Sequence, residues 1–171
     1  MTTIAYKGGI MACDSCWSGG AGDVVTLTTK IMVTKGGCLL GTAGEVDSRD
    51  LEELLGRAKT PKQLPTHSQL RDIHTDSSAM LVFPDGRIFY FSTEPANGGK
   101  SGSRIYSPEM MEVKPWGYFA IGSGGRYARV AMRCGANATE AVEIACEFDT
   151  LSRPPVHRLA LGVARRLRSK K

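Results

Sequence analysis

Residues 2–6 (Thr-Thr-Ile-Ala-Tyr) and 10–14 (Ile-Met-Ala-Cys-Asp) are two β-rich runs either side of Lys7-Gly8-Gly9. A three-residue connection containing glycine reads as a β-hairpin. That loop pairs Tyr6 with Ile10, Ile4 with Ala12 and Thr2 with Asp14. Directly opposed residues have Cβ atoms about 5 Å apart, so the pattern places a carboxylate beside Thr2. In this register Ile4, Tyr6, Ile10 and Ala12 share one face, and Ala5, Met11 and Cys13 the other. Both faces are apolar, which implies a sheet covered on both sides, as in a layered protein of helices and strands.

The rest of the chain alternates similar signals. Gly19-Gly20-Ala21-Gly22 reads as a turn, and the β-branched run Val24–Thr34 as one strand with Lys30 inside it. Lys35-Gly36-Gly37 turns into a strand at Cys38–Ala43. Leu51, Leu54, Leu55 and Ala58 recur at helical spacing, predicting a helix over 47–58. Residues 59–78, with Pro61 and Pro65, read as a polar loop holding about one helical turn. Ala79–Phe83 and Arg87–Phe91 flank Pro84-Asp85-Gly86 as a second hairpin. Residues 94–104 read as a mobile loop and 116–121 as a strand. Gly122-Ser123-Gly124-Gly125 leads into a helix over 126–134, and Thr139 reads as the cap of another ending near Phe148. Val156–Leu161 is apolar and fits strand or helix.

Composition narrows the class. A chain of 171 residues is about one domain with a sizeable core. It contains no apolar run of the roughly 18 residues that a membrane helix needs, and its N-terminus lacks the basic and apolar regions of a secretory signal. The odd set Cys13, Cys16, Cys38, Cys134 and Cys146 suits a reducing cytoplasm better than a disulfide framework. The net charge of +5 is unevenly distributed. No acid follows Asp149, and seven basic residues lie from Arg153 onward; without them 15 basic residues face 17 acidic ones. The expectation is a near-neutral domain over 2–161 with a basic tail over 162–171 that is solvated or binds an acidic partner or nucleic acid.

Thr2 is the sharpest candidate for chemistry. If Met1 is removed, Thr2 carries a hydroxyl and a free α-amino group, so one residue supplies both nucleophile and base. Read singly, its companions have plainer roles. Lys30 can be an edge-strand gatekeeper, Gly41 can allow a bulge, and Ser123 can be a helix cap. Cys13-Asp14-Ser15-Cys16 contains a CxxC pair, but no second pair completes a zinc site. His67, His74 and His157 are scattered, and no Walker-type phosphate loop is present.

Taken in order, these elements resemble a known family. Thr2-Thr3-Ile4, Asp14-Ser15, Lys30, Gly41-Thr42-Ala43-Gly44, Ala120-Ile121-Gly122-Ser123-Gly124-Gly125 and Asp149 with Ser152 are similar to the β-type subunits of the proteasome family, close to HslV and the betaproteobacterial proteasome homologues. The resemblance covers residues 2 to about 161 and implies an α+β fold, the four-layer αββα sandwich of N-terminal nucleophile (Ntn) hydrolases. It implies a cytoplasmic threonine endopeptidase without cofactor or metal, built of identical subunits in stacked rings and cleaving unfolded polypeptides, with an ATPase unfoldase as a further partner.

Carried over by position, the resemblance makes Thr2 the nucleophile, Lys30 the lysine beside it and Asp14 that lysine's charge partner. It makes the Gly41 N–H the oxyanion donor, and Ser123 and Asp149 the pair that orients the terminal amine. The segment between the first long helix and Ala79 is shorter than in HslV and carries prolines. Two alternatives accompany this reading: a ring-forming binding protein that uses the basic tail, and an Ntn-type amidase acting on a small molecule.

Overall fold

The computed structural model describes residues 2–18, 24–44, 49–71, 73, 76–93, 109–113 and 117–162. One antiparallel sheet contains β1 (Thr3–Lys7), β2 (Ile10–Cys13), β10 (Tyr118–Gly122) and β11 (His157–Ala160), in the order β10-β1-β2-β11. A second contains β5 (Ile31–Val33), β6 (Leu39–Gly44), β7 (Ser77–Val82), β8 (Ile88–Ser92) and β9 (Glu109–Val113), in chain order. β3 (Cys16–Ser18) and β4 (Val24–Leu27) pair separately. The helices are α1 (Arg49–Gly56), α2 (His67–Arg71), α3 (Gly125–Arg133) and α4 (Ala138–Phe148).

Three buried clusters fill the spaces between four layers. Ile4, Tyr6, Met11 and Cys13 of the first sheet meet Ile31, Leu39, Ala43, Met80 and Val82 of the second. Leu51, Leu55 and Leu70 cover the far side of the second sheet against Leu40, Leu81 and Phe91. On the far side of the first sheet Ala5, Ala12 and Ala120 meet Ala128, Ala131, Ala138, Ala141 and Ala145. Each large side chain buried in this way contributes about 1.5–3 kcal/mol. The alanine-lined layer adds less per residue, but small side chains let α3 and α4 lie close to β1. The chain leaving α4 therefore arrives beside the start of β1. This is the four-layer αββα sandwich.

The first hairpin differs from the sequence expectation by one residue. Its turn is Gly8-Gly9, with φ of 60° and 83°, the two positive values that a two-residue type I′ turn requires. Lys7 belongs to the strand and pairs with Ile10, so Ile4 faces Cys13 and Tyr6 faces Met11. Thr3, not Thr2, is opposite Asp14, whose N–H donates to the Thr3 carbonyl at 3.1 Å. The slip also moves Met11 and Cys13 to the inter-sheet core with Ile4, and Ala12 to the helix side with Ala5. Both faces are covered even so.

Other boundaries shift for local reasons. The run over 24–34 is two strands separated at 28–30, so Lys30 lies in the break. Asn137, not Thr139, caps α4: its side chain accepts from the N–H groups of Thr139 and Glu140, and Glu140 bonds back to the Asn137 N–H at 2.8 Å. The polar stretch after α1 holds a 3₁₀ turn at Pro61–Gln63 as well as α2. The turn expected at 19–22, the loop at 94–104 and the tail from 163 lie outside the described residues. Among the described residues no helix is long and apolar enough to cross a membrane.

Candidate active site

The start of β1 is held between two polar clusters. By strand alternation Thr2 shares the face of Ile4 and Tyr6, toward the second sheet, whereas Thr3 shares the face of Ala5, toward α4. Both threonines are buried.

Asp14 organises the first cluster. Its side chain is fully buried, and its Oδ1 accepts from the Thr3 N–H and from Lys30 Nζ, each at 2.8 Å. Its Oδ2 accepts from the Cys16 N–H at 2.9 Å and the Arg153 N–H at 3.2 Å. One carboxylate thus joins β1, the end of β2, the break holding Lys30 and the segment after α4. Burying an ion pair is favourable only when the remaining lone pairs find donors, and here three backbone N–H groups supply them. Thr42 donates its N–H to the Lys30 carbonyl at 3.2 Å, which fixes the backbone of the break.

The second cluster lies on the helix side. Ser123 Oγ and Ser152 Oγ each lie 2.6 Å from Asp149 Oδ2, and Ser152 Oγ is 2.6 Å from Thr3 Oγ1. Ser123 Oγ is also 3.5 Å from the Thr2 carbonyl oxygen. Asp149 caps the C-terminal end of α4, with its N–H on the Ala145 carbonyl at 2.8 Å. Gly122 and Gly124 make this approach possible. A Cβ on Gly122 would lie 1.9 Å from the Thr2 carbonyl oxygen, and one on Gly124 would lie 2.0 Å from Thr3 Oγ1.

The structure therefore brings Asp14 and Lys30 together, and Ser123 and Asp149, on the two sides of Thr2-Thr3. It does not bring Gly41 to them. Gly41 is mid-strand, paired with Ile31 on one side and Met80 on the other. The Thr42 N–H points toward β5, so alternation turns the Gly41 N–H into the ladder with β7. A Cβ at Gly41 would meet the Ile4 and Met11 side chains at 2.9 and 3.2 Å, so its open face lies under the inter-sheet core. An N–H so placed has no access to a substrate carbonyl. Thr3, and the backbone N–H groups of Cys16 and Arg153, belong to the clusters without having been singled out in the sequence. Ser152 was visible there only through the Asp-x-x-Ser spacing.

A recess of about 520 Å³ is lined by Thr28 and Thr29 of the break, Ile31 of β5, and His157, Arg158 and Leu159 of β11. Cys13, Cys16 and Cys38 are buried free thiols, and among the described residues no group of three metal-binding side chains occurs. Burial pushes up the Cys13 and Cys38 thiols, and it pushes Cys146 up to about 11. Between the ordinary value of 9.0 and about 11 the unfolded chain releases a proton that folded Cys146 keeps. Its contribution to stability is therefore complete below pH 9 and lost as pH rises toward 11. Alkylation by iodoacetamide at pH 8, followed by peptide mass spectrometry, is expected to modify exposed Cys134 first, half-buried Cys146 more slowly, and Cys13 and Cys38 only on unfolding. Equal labelling of Cys13 and Cys134 in the folded protein would contradict the buried placement.

No protein-family model matches this chain, and no curated protein matches it. Solved structures do. The eukaryotic HslV of Trypanosoma brucei superposes with a TM-score of 0.63 at 20% identity, over 93% of this chain and 98% of that one. The bacterial proteasome homologue BPH of Thiobacillus denitrificans, in complex with epoxomicin, gives a TM-score of 0.60 at 19% identity, over 94% and 98%. The same protein in another structure gives 0.58 at 18%, over 95% and 98%. The chain is thus similar over more than nine-tenths of its length to a bacterial proteasome homologue and to HslV, and it has their fold, the αββα sandwich of the proteasome β-type and HslV-like proteins.

Proposed function

We propose that this chain is a threonine-type endopeptidase subunit, activated by removal of Met1 and assembled from identical copies into a ring that encloses its sites. The observation that carries the reading is the Asp14 carboxylate, which bridges the backbone N–H that follows Thr2 and the Lys30 ammonium, each at 2.8 Å. Through Asp14 a buried cation is tied to the backbone one residue from Thr2, and Ser123, bonded to Asp149, lies 3.5 Å from the Thr2 carbonyl oxygen.

In this reading the free α-amine, with an ordinary pKa of about 7.7–8.0, takes the proton of the Thr2 hydroxyl. The oxygen then attacks the scissile carbonyl. Collapse of the tetrahedral intermediate breaks the C–N bond and returns the proton to the leaving amine, leaving an ester on Thr2. Water, deprotonated by the same α-amine, hydrolyses the ester. Base assistance of this kind is worth roughly 10²–10⁴ in rate. Lys30 lowers the cost of negative charge on the attacking oxygen.

The oxyanion donor in this reading is the Gly44 N–H in place of Gly41. Ile4 covers Gly41, and Tyr6 extends toward the turn at Gly86, so Thr2 lies toward the Gly44 end of β6. Gly44 is exposed, and alternation from Thr42 turns its N–H to the side of Lys30. One such donor contributes about 3 kcal/mol. Unfolded polypeptide is the substrate in this scheme, and an ATPase that unfolds proteins would be a separate chain.

Epoxomicin is the probe to use, since the homologue to which this chain is similar was solved with it. The expected result is an intact mass lacking Met1 and a covalent adduct on Thr2, both adduct and peptide cleavage being abolished in Thr2→Ala. Processed protein that neither reacts nor cleaves an unfolded substrate would overturn the reading and favour a ring-forming binding role.

A further inference from the structure

We propose that Thr3, the residue after the nucleophile, is a positioning residue: its hydroxyl fixes the direction of a chain of hydroxyl groups that ends at the Thr2 amine. The proposal rests on the threonine-peptidase reading above. The direction follows from counting protons. Asp149 Oδ2 accepts from Ser123 and Ser152, each at 2.6 Å. A serine hydroxyl has one proton, so Ser152 has none left for Thr3. The 2.6 Å contact between Thr3 Oγ1 and Ser152 Oγ must then use the Thr3 proton. The hydrogen bonds run from Thr3 to Ser152 to Asp149, and from Ser123 to Asp149. With its proton committed to Asp149, Ser123 has only lone pairs for the start of β1, where its Oγ lies 3.5 Å from the Thr2 carbonyl oxygen; in this proposal one of them accepts an N–H of the freed amine and turns that amine's own lone pair toward the Thr2 hydroxyl.

The chain of hydroxyls is sealed. Thr3 is fully buried and Ser152 is 2% exposed. A Cβ on Gly124 would lie 2.0 Å from Thr3 Oγ1, 3.1 Å from Asp149 Oδ2 and 3.2 Å from Ser152 Oγ, so backbone covers all three groups and leaves no space for a water to replace the Thr3 donor. Thr3 is turned to the helix side and reaches substrate only through this relay. Without the Thr3 proton, Ser152 keeps its bond to Asp149 but is no longer polarised by a donor of its own, so it offsets the carboxylate's charge less. The carboxylate then keeps more of its charge and favours the protonated amine.

The test uses the full-length chain released at Thr2 from a cleavable leader, with Thr3→Val, Thr3→Ser and Ser152→Ala. Two profiles are read: kcat and KM against pH for an unfolded peptide, and the pH dependence of Thr2 amine acetylation by acetic anhydride, followed by mass spectrometry. In Thr3→Val the amine midpoint is expected to rise by about one pH unit, a tenfold loss of neutral amine at pH 7. kcat should fall about as much with KM unchanged, and Thr3→Ser should restore both. Ser152→Ala interrupts the same chain from the other end and must shift the midpoint in the same direction, which serves also if Thr3→Val does not fold. The titratable groups near the terminus among the described residues include Asp14, Cys16, Lys30, Cys146 and Asp149, and all of these are unchanged in the Thr3 variants. An amine midpoint equal to wild type in Thr3→Val, or in Ser152→Ala should that variant alone fold, overturns the proposal even if kcat falls, since a purely structural role lowers activity without moving it. A shifted midpoint in a protein whose wild type neither cleaves nor reacts with epoxomicin would sustain the positioning role and sink the peptidase reading.

Discussion

Asp14→Ala is expected to be among the most destabilising single substitutions in the chain. It removes the carboxylate from beside a lysine whose side chain is 7% exposed, and it strips the acceptor from the N–H groups of Thr3, Cys16 and Arg153. Removing one partner of a buried ion pair costs about 3–5 kcal/mol, and each buried donor left without an acceptor adds about 1–3 kcal/mol unless water enters. The sum approaches the whole stability of an ordinary domain, about 5–15 kcal/mol. Asp14→Asn keeps the shape and one acceptor oxygen, but its amide would direct N–H groups at the Cys16 and Arg153 N–H groups, so it is expected to fall between Ala and wild type. Urea unfolding at fixed protein concentration separates the cases. An Asp14→Ala protein within 1 kcal/mol of wild type would mean that the carboxylate is a local turn acid and that Lys30 is held by other groups.

The same carboxylate shows how far the sequence can be read. Apolar faces on both sides of 2–13 announced a covered sheet, and the sandwich follows from them. Its register was not legible, because Lys7 reads locally as a loop residue. What keeps Lys7 in the strand is remote: its Nζ donates to the Met132 and Ala136 carbonyls at 2.8 and 2.7 Å, at the end of α3. A one-residue slip then exchanged Thr2 for Thr3 opposite Asp14. Asp14 and Lys30 were visible as residue types at the right spacing, but the break at 28–30 was hidden by the β-branched run around it. β9 was missed because Glu-Met-Met-Glu-Val, an outer strand with both faces partly exposed, has no alternation to detect. The Asn137-Glu140 capping box was legible in principle and outweighed Thr139 because an asparagine two residues earlier already satisfies the first free N–H groups. Gly41 misled because a glycine in a strand has two uses, close approach of a ligand and close packing of a neighbour, and here the neighbour is Ile4.

For the peptidase proposed above, Gly124→Ala is expected to cost most of the activity without removing any functional group. Gly124 has φ −82° and ψ −2°, a conformation open to any residue, so backbone strain plays no part. The obstacle is space: the added carbon would lie 2.0 Å from Thr3 Oγ1, which belongs to a β-branched side chain at 0% exposure and cannot swing clear. Overpacking of this kind costs about 1–3 kcal/mol and forces neighbours to shift. The shift falls on Ser123, one residue away, and on Asp149 and Ser152, which the same carbon would meet at 3.1 and 3.2 Å. Displacing a reacting group by about 1 Å can lower turnover about 10²-fold, and a loss of that order is expected in peptide cleavage. The cause can be isolated with Thr3→Ala, which removes the obstructing atom. Thr3→Ala alone should lower stability and activity moderately by breaking the bond to Ser152. Combined with Gly124→Ala it should recover stability relative to Gly124→Ala alone, giving a coupling of about 1–3 kcal/mol with sign opposite to additive damage. Additive losses in the double variant would show that Gly124 is required for something other than its contact with Thr3. Gly122→Ala supplies the contrast. There φ is +85° and the added carbon would meet the Thr2 backbone carbonyl at 1.9 Å, so no side-chain truncation relieves it, and the loss should persist in combination with Thr3→Ala.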